Sequence, residues 1–222
     1  RADVINNSGT VSITGNNINV TGDNIRIFGN TSTVHNVADG SIFVTGASST
    51  INNANGGDIF VTGYSSTITN ANGGDVLVTG NTSTISNADG GRIFITGYSS
   101  TVTSSTGTIN ITGNTNTVTT ANGAVNITGT NNTVTTANGT LNTNGVSTVT
   151  TANGTVNASG TNTITTAAGT TNASGVNTIT TAQGTVNASG INTITTAEGT
   201  VNITGTNTVT TAQGTVNASG VN

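Results

Sequence analysis

Groups able to move a proton or bind a metal are few in this chain and poorly placed. The one histidine, His35, lies four residues before Asp39, a pair with no recognisable catalytic context, and a solvated turn is the expected place for both. Glu198 is the only charged residue after Arg92, so no acid–base pair can form in the C-terminal 130 residues. There is no Cys, which removes disulfides, thiolate metal sites and thiol nucleophiles. The cations are Arg1, Arg26 and Arg92, with no Lys, so a phosphate-neutralising patch is absent and no nucleic-acid partner is expected. No run of about 18 apolar residues offers a membrane span. These exclusions predict a chain that is not an enzyme and carries no metal or cofactor.

What remains is a large stock of hydroxyls and amides. Thr (54), Asn (36) and Gly (31) make up more than half of the 222 residues, and only 31% are hydrophobic, too few for a thick core of large side chains. Disorder is not the alternative, because Pro is absent and β-branched residues abound. The composition predicts an all-β fold.

The elements that position these side chains follow from an internal repeat. Near the C-terminus, TVNASGTNTITTAAG from Thr155 is followed by TTNASGVNTITTAQG, TVNASGINTITTAEG and TVNITGTNTVTTAQG, a period of 15. Equivalent first residues are Thr10, Asn24, Ser41, Asp58, Asp75, Arg92, Thr108, Ala124, Thr140 and Thr155, so the period lengthens to 16 and 17 toward the N-terminus, after one coil of 14. Each unit holds two segments alternating at period 2, hence two strands. The first points Ile42 and Val44, or Ile59 and Val61, inward; the second points one residue inward, such as Val34, Ile51, Ile68, Val118 or Ile164. Two apolar anchors per coil predict a flattened, two-sheet parallel β-solenoid (β-helix) of about 14 coils, 15–17 residues each. It is read as a single domain over 1–222, with a half coil at 1–9, thirteen coils at 10–214 and a half coil at 215–222. Ala158, Ala173, Ala188 and Ala218 narrow the core of the later coils, and Asn162, Asn177, Asn192 and Asn207 are placed to form an amide ladder.

Outward positions carry the surface chemistry. On the second strand they read Thr101 and Thr103, Thr117 and Thr119, Thr133 and Thr135, Thr148 and Thr150, Thr163 and Thr165, Thr178 and Thr180, Thr193 and Thr195, and Thr208 and Thr210. Such a lattice repeats at about 6.7 Å along a strand and about 4.8 Å between strands. The array resembles the face of TxT-type insect antifreeze β-solenoids, and the resemblance implies ice as a partner and these sixteen threonines as its contacts. It covers about half of the chain and lacks that group's disulfide cysteines, while His35, Asn52 and Ser86 interrupt the rows. GYSST at Gly63 and Gly97 is similar to part of the repeat of bacterial ice-nucleation proteins. On the first strand, Phe43, Phe60, Leu77 and Phe94 form an apolar row, read either as a lateral contact or as residues packed on one another; later coils put Asn there. Gly-Gly-Asp at Asp58 and Asp75 resembles calcium-binding Gly-Asp repeats, but the full repeat is missing and Arg92 follows in the row. Asn-x-Ser/Thr sequons add glycans to the candidate partners of this surface.

Both solenoid edges lack a helix or charged cap. Aligning Val4-Ile5-Asn6-Asn7 with Thr50-Ile51-Asn52-Asn53 makes the first nine residues a second strand, and Thr215, Val216, Asn217, Val221 and Asn222 lie in a first strand and its turn. The two halves sum to one coil. The leading expectation is therefore a processed, secreted structural protein, extracellular or at the cell surface, that polymerises head to tail with an axial repeat of about 65–70 Å. Ice binding through the threonine array is the alternative, and an adhesin stalk is a third reading.

Overall fold

The computed structural model describes residues 2–5, 10–16, 18–22, 24–36, 40–53, 56–70, 73–87, 90–104 and 106–221. The chain divides into two compact units, Arg1–Thr117 and Val118–Asn222. No helix occurs among the described residues.

In the first unit the strands are β1 (Ala2–Ile5), β2 (Thr10–Thr14), β3 (Ile18–Gly22), β4 (Asn24–Phe28), β5 (Thr33–Asn36), β6 (Ile42–Thr45) and β7 (Thr50–Asn53). They continue as β8 (Ile59–Thr62), β9 (Thr67–Asn70), β10 (Val76–Thr79), β11 (Thr84–Asn87), β12 (Arg92–Thr96), β13 (Thr101–Ser104) and β14 (Thr108–Thr112). Among β1–β14, odd strands pair only with odd and even only with even, always in parallel, which is the signature of a parallel β-solenoid with two strands per coil. The register Thr10↔Asn24, Ile25↔Ile42↔Ile59 and Arg92↔Thr108 confirms the coil boundaries read from the repeat.

The second unit begins within β15, a single ladder-bonded extended run from Thr117 to Val221. A straight strand of 105 residues would be about 350 Å long. Side-chain bonds at a separation of 15 residues, from Asn157 to Asn142 and from Asn172 to Asn157, show instead that it winds back on itself every coil.

Burial follows the period-2 pattern. Ile42, Val44, Ile59, Ile68, Val125, Val134, Ile164 and Val186 are all within 1% of full burial. Each such side chain contributes about 1.5–3 kcal/mol on leaving water, and each is covered only because the next coil stacks upon it.

Glycine sets the corners. A Cβ on Gly63 would lie 1.7 Å from the Gly46 carbonyl oxygen, and one on Gly175 would lie 2.2 Å from that of Gly160. Successive backbones therefore touch at these points, leaving no space for any side chain. The turn that follows explains the step from 16- to 15-residue coils. Thr31, Ser48, Ser65, Thr82, Ser99, Thr115 and Asn131 take the left-handed conformation at φ 56 to 59°. That residue is the one deleted when Gly129-Thr-Asn-Asn-Thr133 becomes Gly145-Val-Ser-Thr148, so the 15-residue coils escape a strain of about 1–2 kcal/mol each.

One sequence alignment is corrected by the register. Val4 pairs with Val20, which pairs with Val34 and then Ile51, so Val4 occupies the inward column and Asp3 the column of Thr50. The alignment of Val4 with Thr50 is displaced by one residue, which exchanges the two faces of the strand. Asn6, Asn7 and Asn222 lie outside the described residues.

Candidate functional site

The surface is organised as rows that run from coil to coil, and each row is one chemistry repeated. All sixteen threonines from Thr101 to Thr210 in the array are exposed. Between them the inward residues of the same strands, Val118, Val134, Val149, Ile164, Ile179 and Ile194, are buried, so the threonines are held on a face anchored from behind. In the first unit the rows read Thr33↔Thr50↔Thr67↔Thr84↔Thr101 and His35↔Asn52↔Thr69↔Ser86↔Thr103. His35 is exposed but lies within strand β5, in register with Thr21 and Asn52, and not in the turn expected for it, while Asp39 lies outside the described residues.

The amide ladder read from the sequence is present. Asn162 Nδ2 donates to Asn177 Oδ1 at 3.1 Å, Asn177 to Asn192 at 2.9 Å and Asn192 to Asn207 at 2.8 Å, all buried. A second ladder is new to the structure. On the outer face of the first strand, Asn217 Nδ2 donates to Asn202, Asn202 to Asn187, Asn187 to Asn172, Asn172 to Asn157 and Asn157 to Asn142, each at 2.8 Å, and Asn142 to Asn126 at 2.7 Å. Its signal in the sequence is the recurrence of Asn at one coil position. The amides of the Asn-x-Ser/Thr sequons in this row are thus engaged along it.

The aromatic row packs on itself. Phe43 and Phe60 stack with centroids 4.7 Å apart and planes 5° from parallel, the coil spacing itself. Arg26 covers the other face of Phe43 at 5.3 Å, and Arg92 lies 5.7 Å from the Phe94 ring. Apolar edges remain outside: Phe28, Phe43 and Leu77 are exposed.

Carboxylates here serve the backbone. Asp58 Oδ1 accepts the Asp75 N–H at 3.0 Å, and Asp75 accepts both the Arg92 N–H at 3.1 Å and its Nε at 3.0 Å. The hydrogen bond from the Arg92 side chain holds the Asp75 carboxyl below the usual carboxylate range, against a smaller opposing effect of burial. Among the described residues no group of three or more His, Asp or Glu is arranged to hold a metal ion.

The coil edge contacts are of two kinds. Val216 is 40% exposed, whereas Val201 and Val186, its equivalents in earlier coils, are 1% and 0% exposed. Asn217 is likewise exposed, with its Nδ2 bonded to Asn202. At β1, Val4 is half-buried and backbone-paired to β3. Comparison with known proteins finds no matching family model, no matching curated protein and no matching solved structure. The likeness to ice-binding solenoids rests on the residues alone.

Proposed function

We propose that this chain is a non-catalytic structural protein, secreted, whose copies join head to tail, coil on coil, into a β-solenoid filament. The observation that supports the reading is burial of coil by coil: Val186 and Val201 lie 0% and 1% exposed beneath the coils stacked on them, and the outer asparagine file bonds each coil to the next. A coil of this kind pairs well with another coil that brings its own parallel strand, glycine corners and amides, whether from the same chain or from a second copy. The exposed edges of Phe43 and Leu77 offer side-by-side contact between such filaments. Negative-stain microscopy and sedimentation of the purified chain test the reading. Long unbranched fibres are expected, and a population of isolated monomers at micromolar concentration overturns it.

A second reading is favoured by the full exposure of the threonine array. A flat lattice of methyl and hydroxyl groups at about 4.8 by 6.7 Å is suited to ordering water, and ice binding would use Thr133, Thr135, Thr148, Thr150, Thr163 and Thr165 at its centre. Thermal hysteresis measured on the monomeric protein separates the two functions.

A further inference from the structure

Five serines occupy a single inward row at the corner of the first unit: Ser32, Ser49, Ser66, Ser83 and Ser100, each 1% exposed. The N–H groups of Thr50, Thr67, Thr84 and Thr101 donate to the carbonyls of Ser32, Ser49, Ser66 and Ser83 at 2.8–2.9 Å, so consecutive serines stand one coil apart. The hydroxyl oxygens of Ser32, Ser49, Ser66 and Ser83 have no hydrogen-bond partner within the protein. Buried hydroxyls are seldom left so.

The spacing identifies what completes them. At about 4.8 Å two hydroxyls are too far apart to bond directly, since such bonds are about 2.7–2.8 Å long. One water placed between them makes two bonds of about 2.8 Å that meet at about 120°, close to its preferred geometry. The backbone supplies a further donor, because N–H groups at this corner point along the row: that of Ser83 to Ser100 Oγ at 3.4 Å and that of Ser100 to Asn116 Oδ1 at 2.9 Å. Two or more polar partners are what a buried water requires.

The second unit supplies a control within the same chain. There the equivalent residues Asn162, Asn177, Asn192 and Asn207 reach one another directly. Where serine interrupts that row, at Ser147, the Ser147 hydroxyl and the Asn162 carbonyl oxygen are both unpartnered, as is the hydroxyl of Thr143 four residues back across the same turn. These residues are 3%, 3% and 5% exposed. Amide follows amide and the row closes; serine is too short, and the row stays open.

We propose that the serine row binds a file of buried waters, one between each pair from Ser32 to Ser83, and that the break between Ser147 and Asn162 holds one more. This inference is independent of filament assembly and of ice binding. Oxygen-17 magnetic relaxation dispersion on the intact chain counts waters with long residence times, and about four are expected from these pairs. The triple variant S49N/S66N/S83N substitutes the amide ladder for the file between these positions; the count should fall by about two, because Ser32 facing the new amide at position 49 repeats the open step of Ser147 facing Asn162, and the melting temperature should rise. Ser66→Ala gives a sign test: a hydrated hydroxyl makes this variant melt about 2–4 °C lower, whereas a bare one makes it melt higher. A wild-type protein without long-lived waters overturns the proposal, as does a higher melting temperature for Ser66→Ala; both measurements stand even if the triple variant does not fold.

Discussion

Two glycines in neighbouring parts of the first unit permit a matched test of what holds the coils at their spacing. Gly73 has φ +67° and no atom within 4 Å of the place an alanine methyl would take, so Gly73→Ala adds only the left-handed penalty, about 1–2 kcal/mol. Gly63 has φ +157°, and its Cβ would sit 1.7 Å from the Gly46 carbonyl oxygen and 2.7 Å from the carbonyl carbon. Those are backbone atoms, so the coils must part by more than an ångström. Parting them disturbs the bonds Gly46 N–H to Thr62 and Gly63 N–H to Thr79, at 2.9 and 3.0 Å. Two lost ladder bonds at about 1 kcal/mol each and about 1–3 kcal/mol of backbone strain give about 3–5 kcal/mol for Gly63→Ala. With about 2–4 °C per kcal/mol for a chain of this size, Gly63→Ala should lower the melting temperature by about 6–20 °C and Gly73→Ala by about 2–8 °C. Thermal unfolding followed by circular dichroism reads both. Equal losses in the two variants would refute the claim that backbone contact at glycine sets the coil spacing.

Proline at Val4 or Val216 removes a ladder donor from a terminal strand, and either variant should yield soluble short rods with the middle coils intact; long fibres from both would show that the junction lies elsewhere. Wild-type protein should show little or no thermal hysteresis, and a clear gap at micromolar concentration that disappears in T133Y/T163Y, with unchanged circular dichroism, would make ice binding the function. Polar substitution of the outer row, F43S/L77S, should thin any lateral bundles seen by microscopy while leaving single filaments; bundles of unchanged width would remove the aromatic row from the contact. Asp75 has a depressed pKa in the folded state, so its bond to Arg92 stabilises the fold at neutral pH and is lost as the pH falls below about 4. D75N should flatten the acid limb of the melting curve slightly, because both partners are solvent-facing; an acid limb identical to wild type would show the pair contributes nothing.

Period and burial are legible in the sequence because they are carried by residue type: Ile42, Ile59 and Ile93 recur where the core requires them, and the register confirms their spacing. The inner amide ladder is visible for the same reason, Asn recurring where an apolar pattern calls for something else. The outer ladder, equally repetitive in sequence, is not, because exposed Asn is the ordinary residue of a polar face, and only the 2.8 Å donor–acceptor distances distinguish a bonded file from a solvated one. Val4 is easily misaligned because Val4 and Ile5 are both apolar and both suit a strand, leaving nothing in the first few residues to choose between faces. The serine row is invisible as chemistry: Ser before Thr-x-Thr reads as turn, and only the structure shows these residues turned inward.

The buried asparagine file of the second unit and the file on the outer face of its first strand point in opposite directions. From Asn162 to Asn207 each amide donates toward higher residue numbers, and from Asn217 to Asn126 each donates toward lower ones. Every inner member of a file is donor to one neighbour and acceptor from the other, so turning a single amide over would set two oxygens facing each other on one side and two amino groups on the other. Reversal can therefore proceed only by carrying the whole file, which gives each file two orientations and a domino-like cooperativity between them. The opposed arrangement offsets part of the side-chain dipole along the coil axis, three bonds against six, and with Glu198 the only charged residue after Arg92 the stacking of these coils has little reason to respond to salt.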